Sequence, residues 1–220
     1  MFLTADHMLW LAAGEVFLYL LLFAAFVSMI IFFLRGPLRQ YKTADLLVFK
    51  KLERWNSERN NRIMLAITFL GKHQFLIPAN LLLMGLMLLF GWHYWWAFRI
   101  FIVSLSSLSL MFILKHLFHR KRPLTPLLYE AKGKSFPSGH AIMSVNFFGL
   151  LLYMLWQTEV DLFIKIIVSV ITIFLIIAIG FSRIYLRVHY TSDVLAGFII
   201  GLGWFYTVLL ILGRLEALLK

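Results

Sequence analysis

The sequence predicts an all-α fold: a polytopic membrane helix bundle with six transmembrane helices and an interfacial helix between the first two. Two observations carry this expectation. Of 220 residues, 62% are apolar and 14% charged, with a mean hydropathy of +0.88; a soluble domain has an apolar share of about 45–50%. The apolar residues also come in runs of near-spanning length, and about 20 residues cross a hydrocarbon core. Without internal repeats, low-complexity tracts or an interdomain linker, residues 1–220 read as one domain.

The first span is expected over roughly Val16–Leu34, with Glu15 at its edge. The polar, basic segment Arg35–Arg62 follows. Its apolar residues Leu46, Leu47, Phe49, Leu52 and Trp55 recur at spacings of three and four, which suggests a helix lying on the membrane surface. Ile63–Leu70 could continue that helix. The second span is expected over Phe75–Phe90, short and bounded by the cluster Trp92-His93-Tyr94-Trp95-Trp96. Aromatic clusters of this kind settle at headgroup level. The third span covers about Ala97–Leu117, the fourth starts just after Pro137 and ends near Trp156, the fifth covers Leu162–Phe181 and the sixth Asp193–Leu212.

Composition narrows the function classes. The N-terminus lacks a basic region and a small-residue cleavage site, so no cleaved signal peptide is read there. Cysteine is absent, which removes disulfides, thiolate metal sites and a cysteine nucleophile. The net charge of +11, with 21 Lys and Arg against 10 Asp and Glu, points in a membrane protein to anionic headgroups or a phosphate substrate rather than to nucleic acid.

Six spans place both chain ends on one side, so the connections after the first, third and fifth spans share the other. Three polar segments meet there: Lys115 to Arg122-Pro123, Pro137-Ser138-Gly139-His140, and Ser182-Arg183 to His189 and Asp193. Of the 21 cations, Arg99, Lys165, Arg214 and Lys220 fall on the opposite side, leaving 17 on the motif side. By the positive-inside rule that side would be cytoplasmic. A site built for anions is basic whichever way it faces, however, so the count leaves topology open.

These segments resemble the three signatures of the type 2 phosphatidic acid phosphatase (lipid phosphate phosphatase) family. The signatures are Lys-x6-Arg-Pro, Pro-Ser-Gly-His and Ser-Arg-x5-His-x3-Asp, and every fixed position is present in Lys115–Asp193, in order and at the expected spacing. The resemblance implies a membrane-integral hydrolase that removes a terminal phosphate from a lipid phosphate or diphosphate without metal or other cofactor. It further implies a bacterial inner (cytoplasmic) membrane location, with the active site facing the periplasm or exterior.

The residue chemistry agrees with that implication. A phosphate ester carries close to two negative charges near neutral pH. Lys115 and Arg122 are seven positions apart, two helical turns, and can address one anion; Arg183 adds a guanidinium fork. Ser138 and Gly139 precede the fourth span, whose N-terminal N–H groups form an anion site. His189 is the expected nucleophile, Asp193 the carboxylate that orients its ring, and His140 the acid for the departing alkoxide. By resemblance, water then hydrolyses the phosphohistidine, with His140 as the base.

Duller readings exist for each piece. His189 and Asp193 alone could be a helix start capped by Ser192 or Asp193. Lys115, Arg120, Lys121 and Arg122 alone could be a lipid-facing basic flank, and Pro137-Ser138-Gly139 alone a turn and cap. Their convergence on one face favours the joint reading. His116 and His119 are expected to point away from the phosphate, and His7, His73 and His93 have no partners by spacing. Glu15 and Asn146 read as packing or interfacial groups, and Gly197 and Gly201 as a close helix contact, with a dimer face as the weaker option. Arg120, Lys121, Lys132, Lys134 and Arg187 exceed the three cations required; they could grip a second phosphate or be surface charge. Tyr129 and Phe136 read first as loop packing, with a path for a lipid tail as the weaker alternative.

Among family substrates the surplus cations favour undecaprenyl diphosphate; phosphatidylglycerophosphate, phosphatidic acid and lipid A 1-phosphate are the others. The partners expected are thus the phosphorylated lipid and the bilayer, with no nucleic acid and no obligate protein partner. The alternative is a non-catalytic phospholipid-binding or transport protein using the same basic site.

Overall fold

The computed structural model describes residues 5–35, 38–90, 94–128 and 132–219. They form eight helices: α1 (Ala5–Arg35), α2 (Leu38–Glu53), α3 (Glu58–Phe69), α4 (His73–Leu89), α5 (Tyr94–Leu117), α6 (Gly139–Trp156), α7 (Leu162–Tyr185) and α8 (Thr191–Leu219). No strand occurs among the described residues. Trp92, His93, Tyr129, Lys220 and the His7 side chain, named above, lie outside them.

Apolar runs make these helices because a spanning backbone must satisfy its own N–H and C=O groups. Five helices are long and apolar enough to cross a membrane, within α1, α5, α6, α7 and α8. α3 and α4 meet at a 41° bend and pass the same test only as a pair. The chain is therefore an all-helical, multi-pass membrane protein with five spans, or six with the bent pair as one.

The expected surface helix is α2, but it does not continue through Ile63–Leu70 as anticipated. It ends at Glu53, and a new helix starts where the Ser57 hydroxyl accepts the Asn60 N–H at 3.2 Å. Periodicity alone hid this break, because the capping residue interrupts the helix without interrupting its hydrophobic spacing. The apolar pattern of α2 also serves two partners. Phe49 is buried against Ala141, Ile184, Tyr190 and Val194, with Val48 and Leu52 beside it. Leu46, Leu47 and Trp55 remain exposed, available to the bilayer surface.

α6 is the central helix, packed against α5, α7 and α8. Its contact with α8 is close because Gly197 faces Ala141 and the Ser138 carbonyl, and Gly201 faces the Ile142 backbone. Asn146 donates to the Ile142 carbonyl at 2.8 Å and across to the Gly201 carbonyl at 3.4 Å. The small residues thus serve packing within the chain. α1 lies outside α8, where Arg214 donates to Glu15 at 3.0 Å, and α4 lies against α5. At the end of the bundle away from the motifs, Arg99 donates to Glu216 at 2.6 Å. This scaffold brings the ends of α5 and α7 and the starts of α6 and α8 together.

Candidate active site

Each polar side chain of the site arrives at a helix end, where the chain leaves the apolar layer. Lys115 occupies the last turn of α5 and Arg183 that of α7. Arg122 comes from the loop after α5, donating from Nη1 to the Val188 carbonyl at 2.7 Å and from Nε to the Gly133 carbonyl at 3.3 Å. Arg183 donates to Thr68 Oγ1 of α3 at 2.7 Å, with both side chains buried. Gly71, between α3 and α4, fits directly against His140: a Cβ there would sit 2.9 Å from His140 Cδ2.

Lys115, Arg122, Gly139, His140, Arg183 and His189 line one cavity of about 370 Å³. Away from them the cavity turns apolar and runs between α4 and α5, with Leu76, Ile77 and Leu81 facing Phe101, Leu105 and Leu108. Several of these side chains are exposed, so the groove opens sideways towards lipid. His140 Nε2 is buried without a hydrogen-bond partner. Buried polar atoms are rarely left so without a task.

His189 is 1% exposed, and its Nε2 lies 3.2 Å from Arg122 Nη1. Arginine only donates, so Nε2 must hold a lone pair and the ring proton belongs on Nδ1. Nδ1 faces Asp193 Oδ2 at 3.6 Å, about half an ångström beyond hydrogen-bond reach. Burial pushes the His189 imidazole down from 6.5 to about 4; Asp193 opposes the shift, and Arg122 and Arg183 reinforce it. The ring is therefore neutral at physiological pH.

Asp193 is fully buried and held by three donors. Arg120 Nη1 reaches Oδ1 at 2.6 Å, the Tyr190 N–H reaches Oδ2 at 2.9 Å, and the Ser135 hydroxyl makes a short bond to Oδ2. Tyr190 directly precedes α8 and Asp193 is its third residue, so the bond back to Tyr190 is half of a capping box, and neither Ser192 nor Asp193 is the N-cap itself as the capping reading expected. Arg120 also donates to Ser192 Oγ at 2.8 Å and to Asp45 Oδ2 at 3.0 Å, and its guanidinium lies 4.3 Å from the Tyr190 ring centre. Asp45, buried on α2, additionally accepts the Ser192 N–H at 3.1 Å and the Ser192 hydroxyl at 2.7 Å.

Six of the eight candidate residues therefore share the cavity, and Asp193 stands directly behind His189. Ser138 sits apart from the lining: its N–H donates to the Asp193 carbonyl at 3.0 Å, which ties α6 to α8 instead of facing an anion. Among the helix-start donors, this leaves the N–H groups from Gly139 onward to point at a ligand. His116 and His119 are exposed and lie outside the lining, while Phe136 is buried against Phe118. Of the surplus cations, Arg120 is committed to Asp45 and Asp193. Arg187 lies 3.8 Å from Glu53, and Lys121, Lys132 and Lys134 are exposed. Among the described residues, no group of three or more His, Asp or Glu is placed to hold a metal ion.

Sequence reasoning missed Asp45, Thr68 and Ser135. Asp45 carried a faint signal, a carboxylate in register with Phe49 on the face of α2 that docks. Thr68 and Ser135 carried none, because their partners are remote in sequence.

An all-helical membrane bundle with two histidines, a carboxylate and a cluster of cations at one end defines the class: a membrane-embedded protein that handles an anionic group. The chain belongs to the PAP2 superfamily, whose pattern matches residues 96–216. Phosphatidylglycerophosphatase B of Bacillus subtilis (strain 168) is 32% identical over 154 residues, covering 67% of this chain and 73% of its own. The crystal structure of a transmembrane PAP2-type phosphatidylglycerolphosphate phosphatase from Bacillus subtilis aligns with a TM-score of 0.77 and 27% identity, over 90% of this chain and 96% of that one. LpxE of Aquifex aeolicus shares the fold, with a TM-score of 0.58 and 23% identity over 76% of this chain and 94% of its own. The chain is thus a lipid phosphatase of the metal-independent kind.

Proposed function

We propose that this protein hydrolyses the terminal phosphate of a lipid phosphate through a phosphohistidine at His189. The phosphate docks among Lys115, Arg122, Arg183 and the start of α6, while the hydrocarbon lies in the groove between α4 and α5. Arg122 moves from His189 Nε2 to a phosphate oxygen and releases the lone pair. Nε2 attacks phosphorus, the P–O ester bond breaks, and the alkoxide takes the proton of His140 Nε2. Asp193 stabilises the imidazolium-like ring. Water then attacks the phosphohistidine, giving a proton to His140 as the N–P bond breaks, and inorganic phosphate leaves. The observation that supports this reading is the pairing of His189 Nε2 with an obligate donor, which favours Nε2 as the nitrogen that carries the lone pair.

For the lipid, phosphatidylglycerophosphate is our leading reading, because the Bacillus subtilis relatives are phosphatases of that lipid by name. Undecaprenyl diphosphate is the second reading. It rests on surplus cations, of which Arg120 and Arg187 are turned towards protein carboxylates; Lys121, Lys132 and Lys134 favour it. Phosphate release from a panel of the four family lipids in EDTA tests this. Wild type should turn over at least one, with His189→Ala slower by about a thousandfold or more. Strict Mg²⁺ dependence, or full activity in His189→Ala, would contradict it.

A further inference from the structure

The groove between α4 and α5 is apolar except for one pair partway along. Ser104 donates its hydroxyl to Asn80 Oδ1 at 2.6 Å, and Asn80 Nδ2 donates to the Leu76 carbonyl at 2.7 Å. Both residues are half-buried and both line the cavity. The bond to Leu76 fixes the amide orientation, since a carbonyl needs a donor. One Nδ2 hydrogen and the Ser104 lone pairs are left over. An interhelical pair in lipid serves packing by default, but packing alone does not require a spare donor facing the groove.

We infer that Asn80 and Ser104 read an ester carbonyl of the substrate, selecting a glycerolipid whose first acyl ester lies about 10 Å from the scissile phosphate. The distance comes from helix rise on both walls. Asn80 is seven residues along α4 from His73 at the cavity's polar end, about 10 Å. Ser104 is seven residues from Met111, with whose sulfur a Cβ on Gly139 would collide, again about 10 Å.

Extended chains cover 3.8 Å in three bonds, so the roughly 11 bonds from terminal phosphorus to an ester carbonyl in phosphatidylglycerophosphate span about 10–14 Å. Phosphatidic acid, with roughly five bonds, reaches only about 6 Å. An isoprenoid chain offers no acceptor there and would strand the amide hydrogen against hydrocarbon.

This inference rests on the phosphatase reading above, and one comparison separates the two. Phosphate release is measured on diacyl phosphatidylglycerophosphate and on its dialkyl ether analogue, which lacks the carbonyls, at equal mole fraction in detergent. Wild type should favour the ester in kcat/KM by about five- to tenfold, the worth of one hydrogen bond. The ester-to-ether ratio should fall to about one in Asn80→Leu, fall in Ser104→Ala, and stay largely intact in Asn80→Gln. A wild-type ratio of one, or a ratio unchanged in both Asn80→Leu and Ser104→Ala, would overturn the inference while leaving the phosphatase reading in place. Release from neither lipid would overturn this inference together with the leading substrate reading.

Discussion

At the residue scale, the proposed chemistry depends on the state of His189. Its depressed value means that the unfolded chain takes up a proton before the folded one does. The stability the neutral ring contributes is present above 6.5 and is lost as pH falls towards about 4. The proposed nucleophile stays unprotonated over that same window. Nitrogen NMR of the His189 ring should therefore show Nδ1 protonated and Nε2 bare at pH 6, with titration near 4. A ring titrating near 6.5, or one protonated on Nε2, would contradict the assignment. Lys115, His140, Arg183 and Asp193 were legible in the sequence because their spacing puts them at helix ends, whereas Arg122, expected two helical turns from Lys115, comes from the loop beyond Leu117, and His189 from the connection between α7 and α8. Ser138 was less so: a residue type suggests a free N–H, but only the fold shows it bonded to the Asp193 carbonyl.

At the element scale, α2 is more than a surface helix. One face packs Phe49 on the ends of α7 and α8, and the same face presents Asp45 to Arg120 and Ser192. Arg120 in turn holds Asp193, which stands behind His189. On the proposed mechanism Asp45 would act as a positioning residue, two contacts removed from Asp193. Asp45→Asn should lower kcat by about ten- to a hundredfold, the worth of a charged hydrogen bond, with KM little changed. Asp45→Glu should restore part of the loss, and helical content by circular dichroism should stay constant. An equal fall in stability and activity with no rescue would mark α2 as mere packing. Five of the six expected spans were legible because apolar runs of 18 residues or more have one structural solution in lipid; the second, Phe75–Phe90, is shorter and passes only together with α3. The break between α2 and α3 was not, since Ser57 caps a helix inside a continuous pattern; nor was Thr68, whose partner Arg183 lies far along the chain.

At the scale of the whole molecule, charge and resemblance point in opposite directions on orientation. By the expected topology 17 of the 21 cations fall on the motif side, while two of those assigned to the far side, Arg99 and Arg214, are paired with Glu216 and Glu15. We propose that the site faces the exterior, its basicity serving phosphate rather than topology. Lys132 is exposed and the chain has no cysteine, so Lys132→Cys provides a single reporter. An impermeant maleimide should label it on intact cells; labelling only after lysis would place the site in the cytoplasm. The central claim remains covalent transfer to His189. It is tested most directly with His140→Ala and a lipid phosphate analogue bearing a nitrophenol leaving group, quenched in alkali and analysed by mass spectrometry. Such a leaving group needs no acid, so phosphorylation should proceed, whereas hydrolysis should stall without its base. The account predicts a phosphoryl group accumulating on His189. Nitrophenol release beyond one equivalent with His189 unmodified would contradict it.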